Sequence, residues 1–436
     1  MWQDEIRKHV RFNFTVNILD AAFYGFGSLG LASIVTVIPL FLNSLHASTI
    51  LIGLITSFHA IGWQLPQLFT ANRVAKMRRY KPFIIFMTFH ERWPFLGLML
   101  IAISLPFISE PLALWLTVIM VVIFALGGGL AATAWQSMIA KVMPKDRIGT
   151  FYGTQSGVAN LTAAVGAVAA GFILKNMPYP QGYIVCFLLT TITTFISMGF
   201  LASTREPHHE HEIEDVESTS EQPARVDYGW RQMFGIVRDD INFRWFLTAR
   251  TLAQFANMAL AFYTIYALKQ FGMNEQTAGI LTGELLLSKT VGSPLLGWMG
   301  DRWGHRTVLV IGGLVMSLSA ALALGAPNLG WFYVIYALSG FADASMWAVT
   351  MAFTQEFGTS REKPLYIGLS NTLLAPFTLL APFIGGALAE AFGFGSTFMV
   401  SVVCGLLAAA VFQFAVRSPH ADRPLVKFSQ PVAAGD

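Results

Sequence analysis

Gly297-Trp298-Met299-Gly300-Asp301-Arg302-Trp303-Gly304-His305-Arg306 is the stretch whose reading decides the fold. It is a short charged knot between two long apolar segments, with the spacing G-x-x-x-D-R-x-G-basic-R. Charged residues packed this tightly between two apolar runs belong at the surface where those runs leave the membrane. The knot therefore points to a gate at one membrane face, with Asp301, Arg302 and Arg306 as its charged members, and not to a substrate site.

The rest of the chain supplies the membrane. It is 54% hydrophobic and 12% charged, with a mean hydropathy of +0.56, where a water-soluble globule carries about 25% charged residues. Runs of about 20 apolar residues are long enough to cross a bilayer as helices. Twelve are expected, at 14–42, 49–71, 82–107, 112–138, 151–175, 179–203, 243–270, 276–298, 307–326, 329–353, 364–390 and 394–416. The fold class expected is all-α and integral to the membrane.

Net charge is only +3, but its placement is one-sided. With both termini on the same side, 22 Lys and Arg fall in the terminal-side segments against two, Lys175 and Lys269, on the other. By the positive-inside rule this makes both termini cytoplasmic, in a bacterial-type inner membrane. Cys186 and Cys404 fall inside spans, so no disulfide framework is expected. Arg7, Lys8 and Arg11 precede an apolar run too long for a signal peptide, which reads as the first span.

Residues 204–242 interrupt the pattern with ten acidic and four basic residues. This reads as a solvated acidic linker, disordered near 207–224. It divides 1–203 from 243–416, with a tail at 417–436. His208, His209 and His211 beside Glu210 and Glu212 hold metal-ligand chemistry, but a flexible acidic loop is the reading adopted, and no metal or cofactor is expected. Six spans lie on each side of the linker. Arg147, Tyr152, Ser156 and Gly171 recur as Arg361, Tyr366, Ser370 and Gly385 at a constant offset of 214, Trp135 pairs with Trp347, and Gly53-Leu54-Ile55-Thr56 pairs with Gly279-Ile280-Leu281-Thr282. The halves read as distant repeats, and transporters place substrate near the midplane between such repeats.

With its 6+6 arrangement, central acidic loop and 297–306 motif, the chain resembles the major facilitator superfamily over almost its whole length. His305 stands where that family has Arg or Lys. The resemblance implies two pseudo-symmetric six-helix bundles that rock about a central site. Spans 1, 4, 7 and 10 would line the cavity, spans 2, 5, 8 and 11 would meet at the interface, and spans 3, 6, 9 and 12 would lie outside. The first-half counterpart of the loop, Ala71-Asn72-Arg73-Val74-Ala75-Lys76-Met77-Arg78-Arg79, keeps the basic residues but has Val74 opposite Asp301. Family geometry directs Asp301 to the start of span 5, around Gly149–Phe151, with Arg147 adding to the hold. The Gly-Pro-x-x-Gly-Gly ending of drug antiporters is missing from span 5, while Ala381-Pro382-Phe383-Ile384-Gly385-Gly386 puts a similar tail in span 11.

Ionisable residues inside spans cost roughly 2.5–3.5 kcal/mol each on insertion scales, so each needs a partner or a wet cavity. Asn13, Asn17, Asp20, Tyr24 and Ser28 form one polar face of span 1; Arg250, Gln254, Asn257, Ala261 and Thr264 form one on span 7. Both faces are expected to line the cavity, against the alternative of helix–helix hydrogen bonding. Asp343 and Trp347 share a face of span 10, and Trp135 with Gln136 is their counterpart on span 4; aromatic walls with a few polar anchors suit an organic, partly apolar solute. Glu91 and Arg92 lie near mid-depth on span 3, with His59 at similar depth as a third member. They read as a structural ion pair or as a proton site. Asp20, Glu91, Glu284 and Asp343 are the candidate coupling carboxylates, with Asp20 and Glu284 favoured.

The function expected is secondary active transport of a small organic solute, proton-coupled, with efflux of amphipathic compounds favoured over sugar or organic-acid uptake; a lipid flippase on the same scaffold stays open. The absence of a Walker loop, an H-E-x-x-H zinc motif and a G-x-S-x-G elbow argues against an enzyme. The partners expected are the solute, H⁺ and the bilayer, with no nucleic acid, around a monomer.

Overall fold

The computed structural model describes residues 2–207, 230–359 and 362–418. The histidine cluster of the linker, Arg361 and most of the 417–436 tail lie outside the described residues.

The described chain is a bundle of helices. The first six spans are α1 (Trp2–Tyr24, continued by a π-helical turn Gly25–Leu31) with the short α2 (Val37–Ser44), α3 (Thr49–Gln64) with α4 (Gln67–Ala75), α5 (Lys81–Ser104), α6 (Glu110–Val142), α7 (Ile148–Asn176) and α8 (Gln181–Ala202). After α9 (Trp230–Asp239) come α10 (Ile241–Asn257) with α11 (Leu260–Phe271), α12 (Glu275–Trp303) and α13 (His305–Leu324). The last three spans are α14 (Trp331–Ala344) with a π-helical turn Ser345–Val349 and α15 (Thr350–Thr354), then α16 (Lys363–Thr372) with α17 (Ala375–Phe392), and α18 (Phe394–Phe414). These rods match the twelve expected spans.

Eight of the twelve rods are long and apolar enough to cross a membrane on composition alone. The four that fall short are spans 1, 2, 7 and 8, which occupy matching positions in the two halves. Span 1 carries a polar face, span 2 breaks at Pro66, span 7 breaks at Met258–Ala259, and span 8 carries Glu284 and Lys289. A proline lacks the N–H that would continue the helix ladder, which accounts for the break between α3 and α4.

Residues 230–239, expected to be part of a solvated linker, are helical instead. Met233 is buried, and Ile236 and Val237 pack beside it on a core containing Phe243, Phe246 and Phe353. The spacing 233, 236, 237 puts these side chains on one face of a helix, so α9 rides on the bundle. Asp240 then starts α10 by accepting a hydrogen bond from the Phe243 amide at 2.8 Å, the usual role of an N-cap.

One end of the molecule, the basic end, carries Arg73, Arg78 and Arg79 and the turn at 143–147. At the opposite end the core is two separate clusters, one built from residues 31–187 and one from residues 259–398. At the basic end the clusters mix the halves: Leu68 and Ala71 pack with Phe353 and Leu369, and Tyr152 packs with Ala348 and Ala352.

Helices α7 and α12 show why. Gly149, Gly153 and Gly157 share one face of α7 and lie against the backbone of Gly297, Ser293 and Thr290 of α12. Small residues at four-residue spacing let two membrane helices approach backbone to backbone. Toward the other end, a Cβ at Gly171 of α7, or at Gly279 or Gly283 of α12, would meet open space. The helices thus cross tightly at the basic end and splay toward the other. Gly153→Ala, whose Cβ would press on Ser293 and on Pro294 Cα at 3.0 Å, should cost about 1–2 kcal/mol by overpacking. Melting of the purified protein reads this, with Gly171→Ala unchanged as the control.

Candidate functional site

A cavity of about 390 Å³ lies between the two sets of six spans. Its wall takes Asp20 and Tyr24 from α1, Trp63 from α3, Glu91 and Arg92 from α5, and Trp135 from α6; across from these stand Lys289 of α12 and Asp343 and Trp347 of span 10.

The first wall is built around one guanidinium. Arg92 is 3% exposed. Its Nη2 donates to Asp20 Oδ1 at 3.3 Å and to Ser197 Oγ at 2.9 Å, its Nη1 to Glu91 Oε2 at 3.2 Å, and its Nε to the Thr194 carbonyl at 2.8 Å. Ser197 donates to Asp20 Oδ1 at 2.5 Å, and the Tyr24 hydroxyl donates to Glu91 Oε1 at 2.7 Å. Two carboxylates therefore share one cation. Helix α5 reaches the cavity because Gly127 and Gly128 let α6 come against it: a Cβ on Gly127 would sit 2.6 Å from the Glu91 amide, and one on Gly128 would sit 3.0 Å from Glu91 Oε1 and 3.4 Å from Trp63. Span 3, expected outside, is on the cavity wall for this reason.

The second wall is closed on itself. Lys289 forms a salt bridge with Asp343, and Asn257 Nδ2 approaches the other oxygen of Asp343 at 3.5 Å. The π-helical turn of span 10 carries Trp347, which is 49% exposed, and its ring meets that of Trp63 with centroids 5.3 Å apart. Such turns recur at functional sites because one extra residue re-aims the side chains.

Below the cavity, polar bonds join the halves. Gln355 Nε2 donates to the Gln136 carbonyl and to the Tyr152 hydroxyl, each at 3.2 Å. Asn371 Nδ2 donates to Gln67 Oε1 at 2.7 Å, and Thr372 Oγ1 to the Gln64 carbonyl at 3.1 Å. At the basic end, Asp301 accepts from the amides of Gly149 at 2.7 Å and Thr150 at 2.6 Å. This is the contact the family resemblance implied, and its physical basis is that the free N–H groups of a helix start attract an anion. Arg147 is exposed and does not pair with Asp301. His305 is the neighbour instead, with Nε2 3.4 Å from Asp301 Oδ1 and Nδ1 2.6 Å from Glu356 Oε1. Arg302 lies over the Trp298 ring at 4.8 Å, and Arg306 donates to the Val416 carbonyl at 3.2 Å; neither reaches Asp301.

Of the expected binding residues, Tyr24, Trp135, Asp343 and Trp347 stand on the cavity wall, while Asn17, Gln136, Arg250, Gln254 and Asn257 do not. Asn17 Nδ2 donates to Thr204 Oγ1 at 3.0 Å, tying α1 to the end of α8. Gln136 is buried behind Trp135. Arg250 donates to Ser370 Oγ at 2.8 Å, and Gln254 donates to Thr378 Oγ1 at 3.0 Å. The span 7 stripe is thus spent largely on helix–helix bonds, and the same is true of the basic-end half of the span 1 stripe. Among the candidate coupling groups, Asp20, Glu91 and Asp343 are on the wall and Glu284 and His59 are not. His59 stacks on Phe124 with centroids 5.0 Å apart; the third member of the Glu91–Arg92 pair is Asp20. Glu284 has one buried oxygen, Oε2, without a hydrogen-bond partner among the described residues.

Sequence reading missed Trp63 and the Lys289–Asp343 pair. The signal for the pair was there: both residues are charged, both lie near mid-depth, and each needs a partner in lipid.

The sequence profile described as Major Facilitator Superfamily matches residues 23–283 and 246–434. The chain belongs to the major facilitator superfamily. Among curated relatives, the "Multi-drug resistance efflux pump PmrA" of Streptococcus pneumoniae serotype 4 is 27% identical over 169 residues, covering 37% of this chain and 41% of that protein. The match thus spans about two-fifths of that relative's length. Among solved structures, the E. coli fucose:proton symporter FucP superposes with a TM-score of 0.72 at 15% identity, covering 92% of this chain and 98% of that one. The proton:xylose symporter XylE gives 0.73 at 16% identity, covering 95% and 99%. The fold of these two proteins is the fold of this chain, and with its long apolar helices that makes it a multi-pass membrane protein.

Proposed function

We propose that this superfamily member is a proton-coupled secondary transporter that exports a small organic solute by alternating access. In this reading the six-span halves move as bodies, and the basic end, with both termini, faces the cytoplasm in keeping with the positive-inside rule.

The observation that carries the reading is the sharing of Arg92 by Asp20 and Glu91. With both carboxylates ionised the cluster holds one surplus negative charge; with one protonated it is neutral. A surplus charge is tolerable while the cavity is wet and costly when the walls close over it. Protonation is thereby tied to the direction the cavity faces. Export is favoured over uptake by the aromatic wall of Trp63, Trp135 and Trp347, which suits an amphipathic solute, and by the name of the pneumococcal relative.

The test is flux in proteoliposomes of a solute retained from a melting-shift screen of sugars, acids, drugs and lipids. Wild type should accumulate it against its gradient when a pH gradient is imposed. Glu91→Gln should lower that accumulation roughly tenfold or more, as expected when a coupling group is removed, while exchange at equal pH survives. Gradient-driven flux that withstands both Glu91→Gln and Asp20→Asn overturns the assignment.

A further inference from the structure

We propose that the cavity recognises an organic monocation, its positive charge set against Glu91 and its apolar body against Trp347 and Trp63. This rests on the transport reading above and narrows its substrate class.

The charges on the wall do not balance. Asp20, Glu91, Arg92, Lys289 and Asp343 are the formally charged groups there among the described residues. Both cations are taken. Arg92 spends its guanidinium on Asp20, Glu91, Ser197 and the Thr194 carbonyl, and Lys289 is bound to Asp343. Arg250, a further in-span cation, is off the wall and held by Ser370 and Asn371. An anionic solute would therefore have to break an existing pair before it met a free positive group. The one charge left over is negative, and the Tyr24 hydroxyl fixes the carboxylate nearest to it. The same wall offers indole faces: Trp347 is 49% exposed, the Trp63 ring meets it across the two halves at a tilt of 37°, and Trp135 completes the surface. A cation within about 6 Å of an indole face is attracted by the ring quadrupole, most strongly for Trp. A negative anchor beside aromatic faces selects a cation with an apolar body, and a cavity of about 390 Å³ has room for a drug-sized one.

Tetraphenylphosphonium and tetraphenylborate have the same shape and opposite charge, so they isolate the charge term. Binding of each to the purified full-length protein is measured at one pH by calorimetry. Wild type should bind the phosphonium at least about thirtyfold more tightly than the borate, the scale of one desolvated charge contact plus a cation–π contact. Glu91→Gln should cut phosphonium affinity roughly tenfold and close most of that gap. Glu91→Asp, which keeps the charge, should retain the preference, as should Glu110→Gln, a carboxylate exposed at the end opposite the basic one. Equal binding of the two ions by wild type, or a preference that Glu91→Gln and Asp20→Asn both leave intact, overturns the proposal. The two readings fail separately: pH-driven flux of a neutral solute without phosphonium binding removes the cation assignment and leaves the transporter, and phosphonium binding without any pH-driven flux does the reverse.

Discussion

Arg92→Met should cost about 3–5 kcal/mol of stability, the scale of a buried pair broken by loss of one partner. Arg92 is almost fully buried and is the only cation bonded to Asp20 and Glu91 among the described residues. Removing it leaves two largely buried carboxylates without their cation and takes one hydrogen-bond partner from the Thr194 carbonyl and one from Ser197. The loss should be curable. Asp20→Asn and Glu91→Gln together with Arg92→Met remove every charge of the cluster, and a buried ionic group replaced whole by neutral side chains is often no less stable. Thermal unfolding in detergent, followed by tryptophan fluorescence, should therefore place Arg92→Met far below wild type and the triple variant well above Arg92→Met. An Arg92→Met protein that melts with wild type would mean that the carboxylates do not depend on the guanidinium.

This cluster also marks the limit of what the residues alone disclose. The span count was legible because length and apolarity set it, and the Asp301 contact was legible only through the family resemblance that the ten-residue motif carries. Glu91 and Arg92 were readable as a mid-membrane pair, but their partner was not. Whether the Glu91–Arg92 pair of α5 meets Asp20 of α1 or His59 of α3 is decided by which helices can approach, and the deciding residues, Gly127 and Gly128, lie on α6. Polar stripes mislead for a related reason. Asn13 and Asn17 continue the line of Asp20 and Tyr24, yet Asn13 exchanges two hydrogen bonds with the Arg205 backbone while Asp20 faces the cavity. A helix that lines a cavity and a helix that bonds its neighbour show the same periodicity. Asn242 repeats the Asn13 clasp on the Arg417 backbone at 2.9 and 2.7 Å, a trace of the internal repeat that no sequence offset revealed.

Asp301→Asn should weaken the basic-end latch by about 2–3 kcal/mol, given roughly 1.5–3 kcal/mol for each hydrogen bond to a charged group and the loss of one acceptor oxygen and of the charge. The carboxylate satisfies the amides of both Gly149 and Thr150, and an asparagine presents one oxygen to two donors. Its amide would also face His305, whose Nε2 lies 3.4 Å from Oδ1. The contact joins α7 to α12 where the two helices cross, so its energy bears on that crossing and not on either half alone. A change of about 2–3 kcal/mol moves a two-state equilibrium roughly 30- to 150-fold, enough to turn a minor population into a visible one. Arg147→Ala, on an exposed side chain that does not pair with Asp301, should shift the equilibrium little.

Alternation about the α7–α12 crossing changes the distance between the splayed ends, and that distance reads it directly. Val168 on α7 and Ile280 on α12 are exposed and lie toward the end where the helices part. Spin labels at Val168→Cys and Ile280→Cys, with Cys186 and Cys404 replaced by serine, report their separation by pulsed electron resonance. The otherwise wild-type protein should show a dominant long distance and Asp301→Asn a clear gain of a shorter one, as the ends close when the latch opens. Identical distance distributions in the two proteins would contradict it.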